Sequence, residues 1–307
     1  MRRHALVLSA GLGTRLQPLT RVRAKPALPV AGEPLVRRII RGLAASGVTE
    51  LVLNLHHLPA TLTSVVGDGS DLGARVRYSW EHPAVLGSAG GLRHALPLID
   101  ADAFLAVNGD TLTEVDLAAL DRAHSGSSAL VTLALVPNPD PDKYGGVRLS
   151  DDGAVVGFAA RGKSARGSFH FVGVQIVQRD AIGDLPDGTP LNSIGGVYNR
   201  LIAARPGSVR GYACDARFWD VGTVRDYWAA SFSLLAGRAA ESAYGNRVVI
   251  DPSARVSGSI LWDDVEVGAD CQIEECILTD GVRVPAGSVY RRAVLLRGSA
   301  RPLVSEL

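Results

Sequence analysis

The chain has 307 residues, 47% apolar and 21% charged, with 32 basic side chains against 31 acidic ones. This is ordinary globular composition, sized for one large domain and a small one, and a formal charge of +1 speaks against a nucleic-acid partner, which would call for a basic surplus. Three cysteines, Cys214, Cys271 and Cys276, are too few and too irregularly spaced for a disulfide framework or a zinc site, and read as reduced thiols.

In chain order, Met1-Arg2-Arg3-His4 and the apolar residues 5–10 imitate a short signal peptide. The apolar stretch is shorter than the ~7–15 residues of a secretory core, so a first buried strand explains it better. No run approaches the ~20 apolar residues of a membrane span, which points to a cytoplasmic protein. Short β-branched runs at 5–9, 50–55, 75–79, 104–107 and 129–136 alternate with helical stretches at 34–46, 59–66, 89–96 and 116–123. Leu35, Ile39, Ile40 and Leu43 recur at helical spacing, as a face packed on a sheet does. Strands separated by helices of this length predict βαβ units and a mostly parallel sheet. Residues 136–235 are less regular, with strands expected at 146–149, 155–158 and 169–177 and helices near 197–204 and 224–235. They read as a second lobe completing the cleft of the first.

From about 247 the helical periodicity stops. Ile250, Val256, Val265, Ile273, Ile277, Val282 and Val284 recur about every six residues among Gly, Pro and Ala. This is the hexapeptide pattern of a parallel β-helix, long enough for about three coils; a meander of short antiparallel strands is the alternative. The expected division is 1–240 and 246–307.

The first strand runs into Ala10-Gly11-Leu12-Gly13-Thr14-Arg15-Leu16. Glycines directly after a strand let backbone N–H groups approach a phosphate, and Arg15 can add its fork of donors. Leu16 stands where a dinucleotide loop wants its third glycine, and the Gly-Lys-Ser/Thr of a Walker loop is absent. The segment from Gly11 through Arg15, Gln17-Pro18-Leu19-Thr20 and Lys25-Pro26-Ala27-Leu28-Pro29-Val30 closely resembles the signature of the sugar-1-phosphate nucleotidylyltransferases. Leu86-Gly87-Ser88-Ala89-Gly90-Gly91, Val107-Asn108-Gly109-Asp110, Tyr144-Gly145-Gly146-Val147 and Trp219-Asp220-Val221-Gly222-Thr223 resemble the same family in the same order, over about 4–235. Many members carry a C-terminal hexapeptide β-helix.

The resemblance implies an α/β fold: a Rossmann-like mixed, mostly parallel sheet nucleotidyltransferase domain with a short left-handed parallel β-helix. It implies transfer of a nucleotidyl group from a nucleoside triphosphate to a sugar 1-phosphate, with Mg²⁺. Arg15, Lys25 and Asp110 are the implied catalytic residues. Ala10, Gly11, Gly13, Thr14, Arg15, Gly87, Ser88 and Gly90 face the nucleotide. Asn108, Gly145, Arg161, Lys163 and Gly173 face the sugar phosphate, and Asp110 and Asp220 hold the metal. The residues agree in chemistry: Asp110 ends a buried run, where ligands bind in open α/β sheets, and two carboxylates sharing triphosphate oxygens are a usual setting for Mg²⁺.

Two departures fall on the sugar side. Ala159-Ala160-Arg161-Gly162-Lys163 stands where the family usually has Glu-Lys-Pro, with the acid missing at Ala160 and Arg161 or Lys163 left to supply the cation, and Phe171-Val172-Gly173 stands where many members have Asn-Ala-Gly. Without a histidine after His170 the β-helix lacks an acyltransferase base, so it reads as an assembly element for a homo-oligomer. Guanylyl transfer to mannose 1-phosphate is the leading expectation. The alternatives are an N-acetylmuramate-1-phosphate uridylyltransferase, a glucose-1-phosphate nucleotidylyltransferase and a non-catalytic subunit that binds nucleotide sugar.

Overall fold

The computed structural model describes residues 4–235, 242–298 and 302–306. The expected boundary between 240 and 246 falls partly on 236–241, outside the described residues. The described chain forms two compact units, one built from 4–11, 39–59 and 66–218, the other from 12–38, 60–65 and the residues from 219 onward.

The first unit is organised by a nine-stranded sheet. Its strands are β1 (His4–Leu8), β2 (Glu50–Leu55), β3 (Arg75–Trp80), β4 (Ala103–Asn108), β5 (Val131–Pro137), β6 (Gly146–Leu149), β7 (Val155–Ala159), β8 (Phe169–Gln178) and β9 (Val209–Ala213). Strands β3, β2, β1 and β4 lie side by side and parallel, with Leu6 opposite Val52 on one flank and Ala106 on the other. Ala5, Leu6 and Val7 are fully buried, as a continuous apolar run in a doubly covered parallel strand should be. Strand β8 then runs antiparallel to β4, β5 and β6, and β9 runs parallel to β5. From 137 to 218 the expected second lobe is therefore not separate: its strands extend the same sheet, because β8 pairs its backbone with β4 on one edge and with β5 on the other. The core under the sheet joins Leu6, Phe104 and Leu133 to Leu92 and Ala95 of α3 (Gly87–Ala95) and Tyr198 of α5 (Tyr198–Ala204). Helices α1 (Leu35–Ala45) and α2 (Pro59–Val66) match their predicted places, and α4 (Leu117–Ser125) starts where Asp116 caps the N–H groups of Ala118 and Ala119, both at 2.9 Å.

The second unit contains a coiled repeat. Ala243 pairs with Ile260, Ile260 with Ile277 and Ile277 with Val294, all parallel, a step of 17 residues. Val249, Glu266 and Arg283 stack on a second face, and Val256, Ile273 and Tyr290 on a third. The antiparallel meander is excluded. Each coil is one residue short of three six-residue repeats, and the corners show why the step is regular. Arg247, Asp264 and Gly281 all have positive φ, as do Gly258, Glu275 and Arg292, so two of the corners turn through a left-handed residue at the same position on three successive levels. The step also stacks opposite charges: Arg247 on Asp264 at 2.6 Å, Arg283 on Glu266 at 3.3 Å, Arg291 on Glu274 at 3.1 Å and Arg292 on Glu275 at 2.8 Å. These pairs are exposed and contribute little each. The apolar interior of Leu261, Ile273, Cys276, Leu278 and Leu295 carries the stability. All three cysteines are free thiols, two of them inside this coil. Among the described residues no helix is long and apolar enough to cross a membrane.

Candidate active site

In the order β3-β2-β1-β4 the chain reverses its winding between β1 and β4, the crevice where ligands bind in open parallel sheets. Both predicted strand-end motifs of the first unit open there. Ala10 and Gly11 follow β1, and Asn108 ends β4 just before Gly109-Asp110. The Gly109 N–H donates to Leu8 C=O at 2.8 Å and locks the two ends together. Asp110 is half-buried, and its Oδ1 accepts from the Thr111 hydroxyl at 3.2 Å.

Gly173 sits at a break in register of β8, with φ +80°. A Cβ there would lie 3.0 Å from Cβ of Asn108, so the bulge and the glycine together make room for that side chain. Gly145 lies beside β7, where a Cβ would come 3.1 Å from Ala159 C=O. The Tyr144 ring stacks on His170 at 4.2 Å, and Phe218 stands 5.1 Å from the same imidazole. Burial in this aromatic nest pushes the His170 pKa down to about 4, against its bond to the Gly145 backbone. Arg161 and Lys163 are exposed on the loop after β7, and the Gly162 N–H ties that loop to Pro141 C=O at 2.7 Å.

The loop at Gly87, with φ +71°, leads straight into α3. The Ser88 hydroxyl pairs with that of Ser193 at 2.8 Å and accepts the Ser193 N–H. The Gly90 N–H is taken by Leu191 C=O at 3.1 Å, and a Cβ on Gly90 would meet Thr189 C=O at 2.5 Å. Gly90 thus admits the 189–191 segment against the helix.

The remaining predicted residues are in the second unit. Gly13, with φ +62°, turns the chain into the short 3-10 helix Thr14–Leu16, with Thr14 and Arg15 exposed. The loop closes on itself: Thr20 Oγ1 donates to Gly13 C=O at 2.9 Å, and a Cβ on Gly13 would meet Thr20 Cγ2 at 2.7 Å and Lys25 Cβ at 3.3 Å. Lys25 is buried at the head of a second turn, Lys25–Ala27. Asp220 precedes α6 (Val224–Leu235). A Cβ on Gly222 would come 2.9 Å from its Oδ2, and Thr223 and Asp226 cap the helix reciprocally.

The sequence was compared with known proteins. The nucleotidyl transferase family model matches residues 4–237, and a GlmU-like C-terminal hexapeptide model matches 224–290. The chain belongs to the nucleotidyl transferase family. It is 33% identical to the mannose-1-phosphate guanylyltransferase of Mycobacterium tuberculosis over 300 residues, 94% of this chain and 83% of that protein. It is 39% identical to the N-acetylmuramate alpha-1-phosphate uridylyltransferase of Neisseria meningitidis over 153 residues, 49% of this chain and 66% of that one. HddC from Yersinia pseudotuberculosis has the same fold, at TM-score 0.65 and 23% identity, covering 76% of this chain and all of that one.

Within this nucleotidyltransferase the sequence reading missed a buried polar hub. Glu81, at the end of β3, accepts from Asn54 Nδ2 through Oε1 and from the Leu86 N–H through Oε2, both at 2.7 Å. Asn54 Oδ1 in turn accepts the Ser9 N–H at 2.6 Å. The hub fixes the loop after β1 and the loop before α3 to one carboxylate. Its one sequence signal is Gly91, where a Cβ would meet Glu81 Oε1 at 2.7 Å and Asn54 Nδ2 at 2.8 Å.

Proposed function

We propose that this nucleotidyltransferase joins a nucleoside triphosphate to a sugar 1-phosphate with release of pyrophosphate, and that the pair is GTP and mannose 1-phosphate. The observation that carries the substrate pair is the likeness to the M. tuberculosis guanylyltransferase over nearly the whole of this chain. The strand-end motifs at the β1–β4 switch point support the reaction class.

In this reading a phosphate oxygen of the sugar 1-phosphate attacks the α-phosphorus in line. The bond from that phosphorus to the bridging oxygen breaks, and pyrophosphate leaves with the electron pair. The attacking phosphate is ionised near neutral pH, so the reaction needs positioning and charge neutralisation rather than a base. Arg15 and Lys25 neutralise charge on the triphosphate. Ala10, Gly11, Gly13, Thr14, Gly87, Ser88 and Gly90 shape the nucleotide side. Asn108, Gly145, Arg161, Lys163 and Gly173 shape the sugar-phosphate side. Among the described residues no cluster of three or more His, Cys, Asp or Glu side chains could hold a metal alone. Asp110 and Asp220 as a two-carboxylate set suit Mg²⁺, which usually takes one or two protein carboxylates and completes its shell with substrate phosphates and water. When bound, the ion supplies charge stabilisation on the phosphates. We assign catalysis to 1–240, self-association to 246–307 and the protein to the cytoplasm.

Uridylyl transfer to N-acetylmuramate 1-phosphate is the second reading, favoured by the higher identity to the Neisseria enzyme over half of the chain. Pyrophosphate release from four nucleoside triphosphates against a panel of sugar 1-phosphates tests both. GTP with mannose 1-phosphate should give the highest kcat/KM. A higher value for UTP with N-acetylmuramate 1-phosphate overturns the first reading, and no turnover with any pair leaves a nucleotide-sugar-binding subunit.

A further inference from the structure

The chain before Lys25 is gripped by side chains of the β-helix, and the chain after it by Tyr227 of α6, which a β-helix side chain holds in turn. Two residues upstream, Arg23 is buried with its guanidinium between two carboxylates. Its Nη2 lies 2.6 Å from Asp263 Oδ2 and 2.6 Å from Asp280 Oδ1, and its Nε lies 2.7 Å from Asp280 Oδ2. The same guanidinium lies 5.4 Å from the ring centre of Trp262. Asp263 and Asp280 occupy one position on successive coils, and the Asp263 N–H donates to Asp280 Oδ1 at 3.2 Å. Asn246 fixes Asp263 from the preceding level through its backbone N–H at 2.6 Å and its Nδ2 at 3.1 Å. Downstream of Lys25, Pro29 C=O accepts from the Tyr227 hydroxyl at 2.7 Å. That hydroxyl accepts from Trp262 Nε1 at 2.9 Å, and both rings are fully buried. One coil corner, Trp262-Asp263, therefore holds the chain before Lys25 through Arg23 and after it through Tyr227.

The fork geometry is what makes this a positioning device. A planar guanidinium bonded through both Nε and Nη2 and lying over an indole is held in one orientation, whereas a lone ion pair would swivel. Arg23 already faces two carboxylates, so its own charge is spent locally and it offers the substrate phosphates little. Its effect on chemistry runs through the residue two places on. We infer that Arg23 is a positioning residue for Lys25 and that the β-helix sets the place of that lysine through the Arg23–Asp263–Asp280 clamp. The hexapeptide region then serves turnover as well as assembly. The inference rests on the reading of Lys25 as a phosphate-neutralising residue.

The test is a double-mutant cycle in the full-length chain, read as kcat and KM in pyrophosphate release, with melting and nucleotide affinity measured in parallel. Arg23→Met should lower kcat by roughly tenfold to a hundredfold, the loss expected of a slight misplacement of a catalytic group, while KM for both substrates moves little. Arg23→Lys, which keeps the charge without the fork, should recover part of that loss. In a Lys25→Ala background, assayed with radiolabelled triphosphate, adding Arg23→Met should cost almost nothing further, because the group it positions is gone. Should Arg23→Met fold poorly, Asp280→Asn enters the same cycle, since it keeps the volume and leaves Asp263 in place. Equal losses in both backgrounds, or an unchanged kcat with only a lowered Tm, overturn the positioning role and leave a structural ion pair. Wild-type turnover in Lys25→Ala instead overturns the reading of Lys25, and the inference falls with it.

Discussion

Replacing Glu81 by Gln changes one oxygen into an NH₂ group and leaves the volume alone, so its effect isolates hydrogen bonding. Both carboxylate oxygens face donors, Asn54 Nδ2 and the Leu86 N–H. A glutamine amide can accept from only one of them. Turned one way, its nitrogen meets the Leu86 N–H. Turned the other way, it meets Asn54 Nδ2, and flipping Asn54 to compensate brings that NH₂ against the Ser9 N–H, which now donates to Asn54 Oδ1 at 2.6 Å. Every arrangement leaves two donors facing each other in a site where Ser9, Asn54 and Glu81 are all buried. Losing one bond to a charged acceptor costs about 2 kcal/mol, which corresponds to roughly 4–8 °C in Tm for a domain of this size class. The hub ties the Ser9–Gly11 and Leu86–Gly91 loops, so KM for the triphosphate should rise, roughly fivefold for about 1 kcal/mol of lost preorganisation. Differential scanning calorimetry and steady-state kinetics read the two effects. A Tm within about 1 °C of the parent, with unchanged KM, refutes the view that this carboxylate holds the two loops.

Asp110→Ala and Asp220→Ala should each lower kcat about a thousandfold, ~4 kcal/mol, with the far-UV circular dichroism unchanged; more than roughly a tenth of parent activity (~1.4 kcal/mol) removes that residue from the metal set. Gly173→Ala should destabilise the bulge by about 1–2 kcal/mol because of its left-handed backbone and raise KM for the sugar 1-phosphate by crowding Asn108, as kinetics on a folded variant will show. For His170 the folded pKa of about 4 lies below its ordinary value of 6.5, so the folded state holds fewer protons between those values and stability falls as pH drops from 6.5 to 4. Melting scans should show a slope of at most about 1.4 kcal/mol per pH unit from this group, reduced in His170→Phe; identical slopes refute the assignment. Ala160, without a carboxylate in its side chain, should let the enzyme accept one mono-deoxy sugar 1-phosphate with a modest loss. Losses of a thousandfold or more, ~4 kcal/mol, for every deoxy analogue show a fully matched polar site.

The sequence alone determined the local elements and the chemistry they carry. The strand at 50–55 and the helix at 59–66 were legible to the residue, because apolar spacing and β-branching act over a single element. The motifs at Gly11–Arg15, Lys25, Asp110 and Asp220 pointed to phosphate and metal chemistry, and the coil was legible from its small apolar repeat. Tertiary structure decided what those elements meet. The irregular stretch from 137 to 218 joined the main sheet because β8 pairs on both edges, which its own residues do not announce. The coil step of 17 residues emerged only when left-handed corners and opposite charges stacked level on level. Gly90 was legible as part of a nucleotide-side loop, but that it also admits a neighbouring segment was not, because the nearest obstacle to its Cβ is a carbonyl about a hundred residues away. Arg23 finds its carboxylates at separations of 240 and 257 residues. Periodicity reports which face of an element is apolar, but a buried charge is satisfied only by whatever partner the folded chain brings to it.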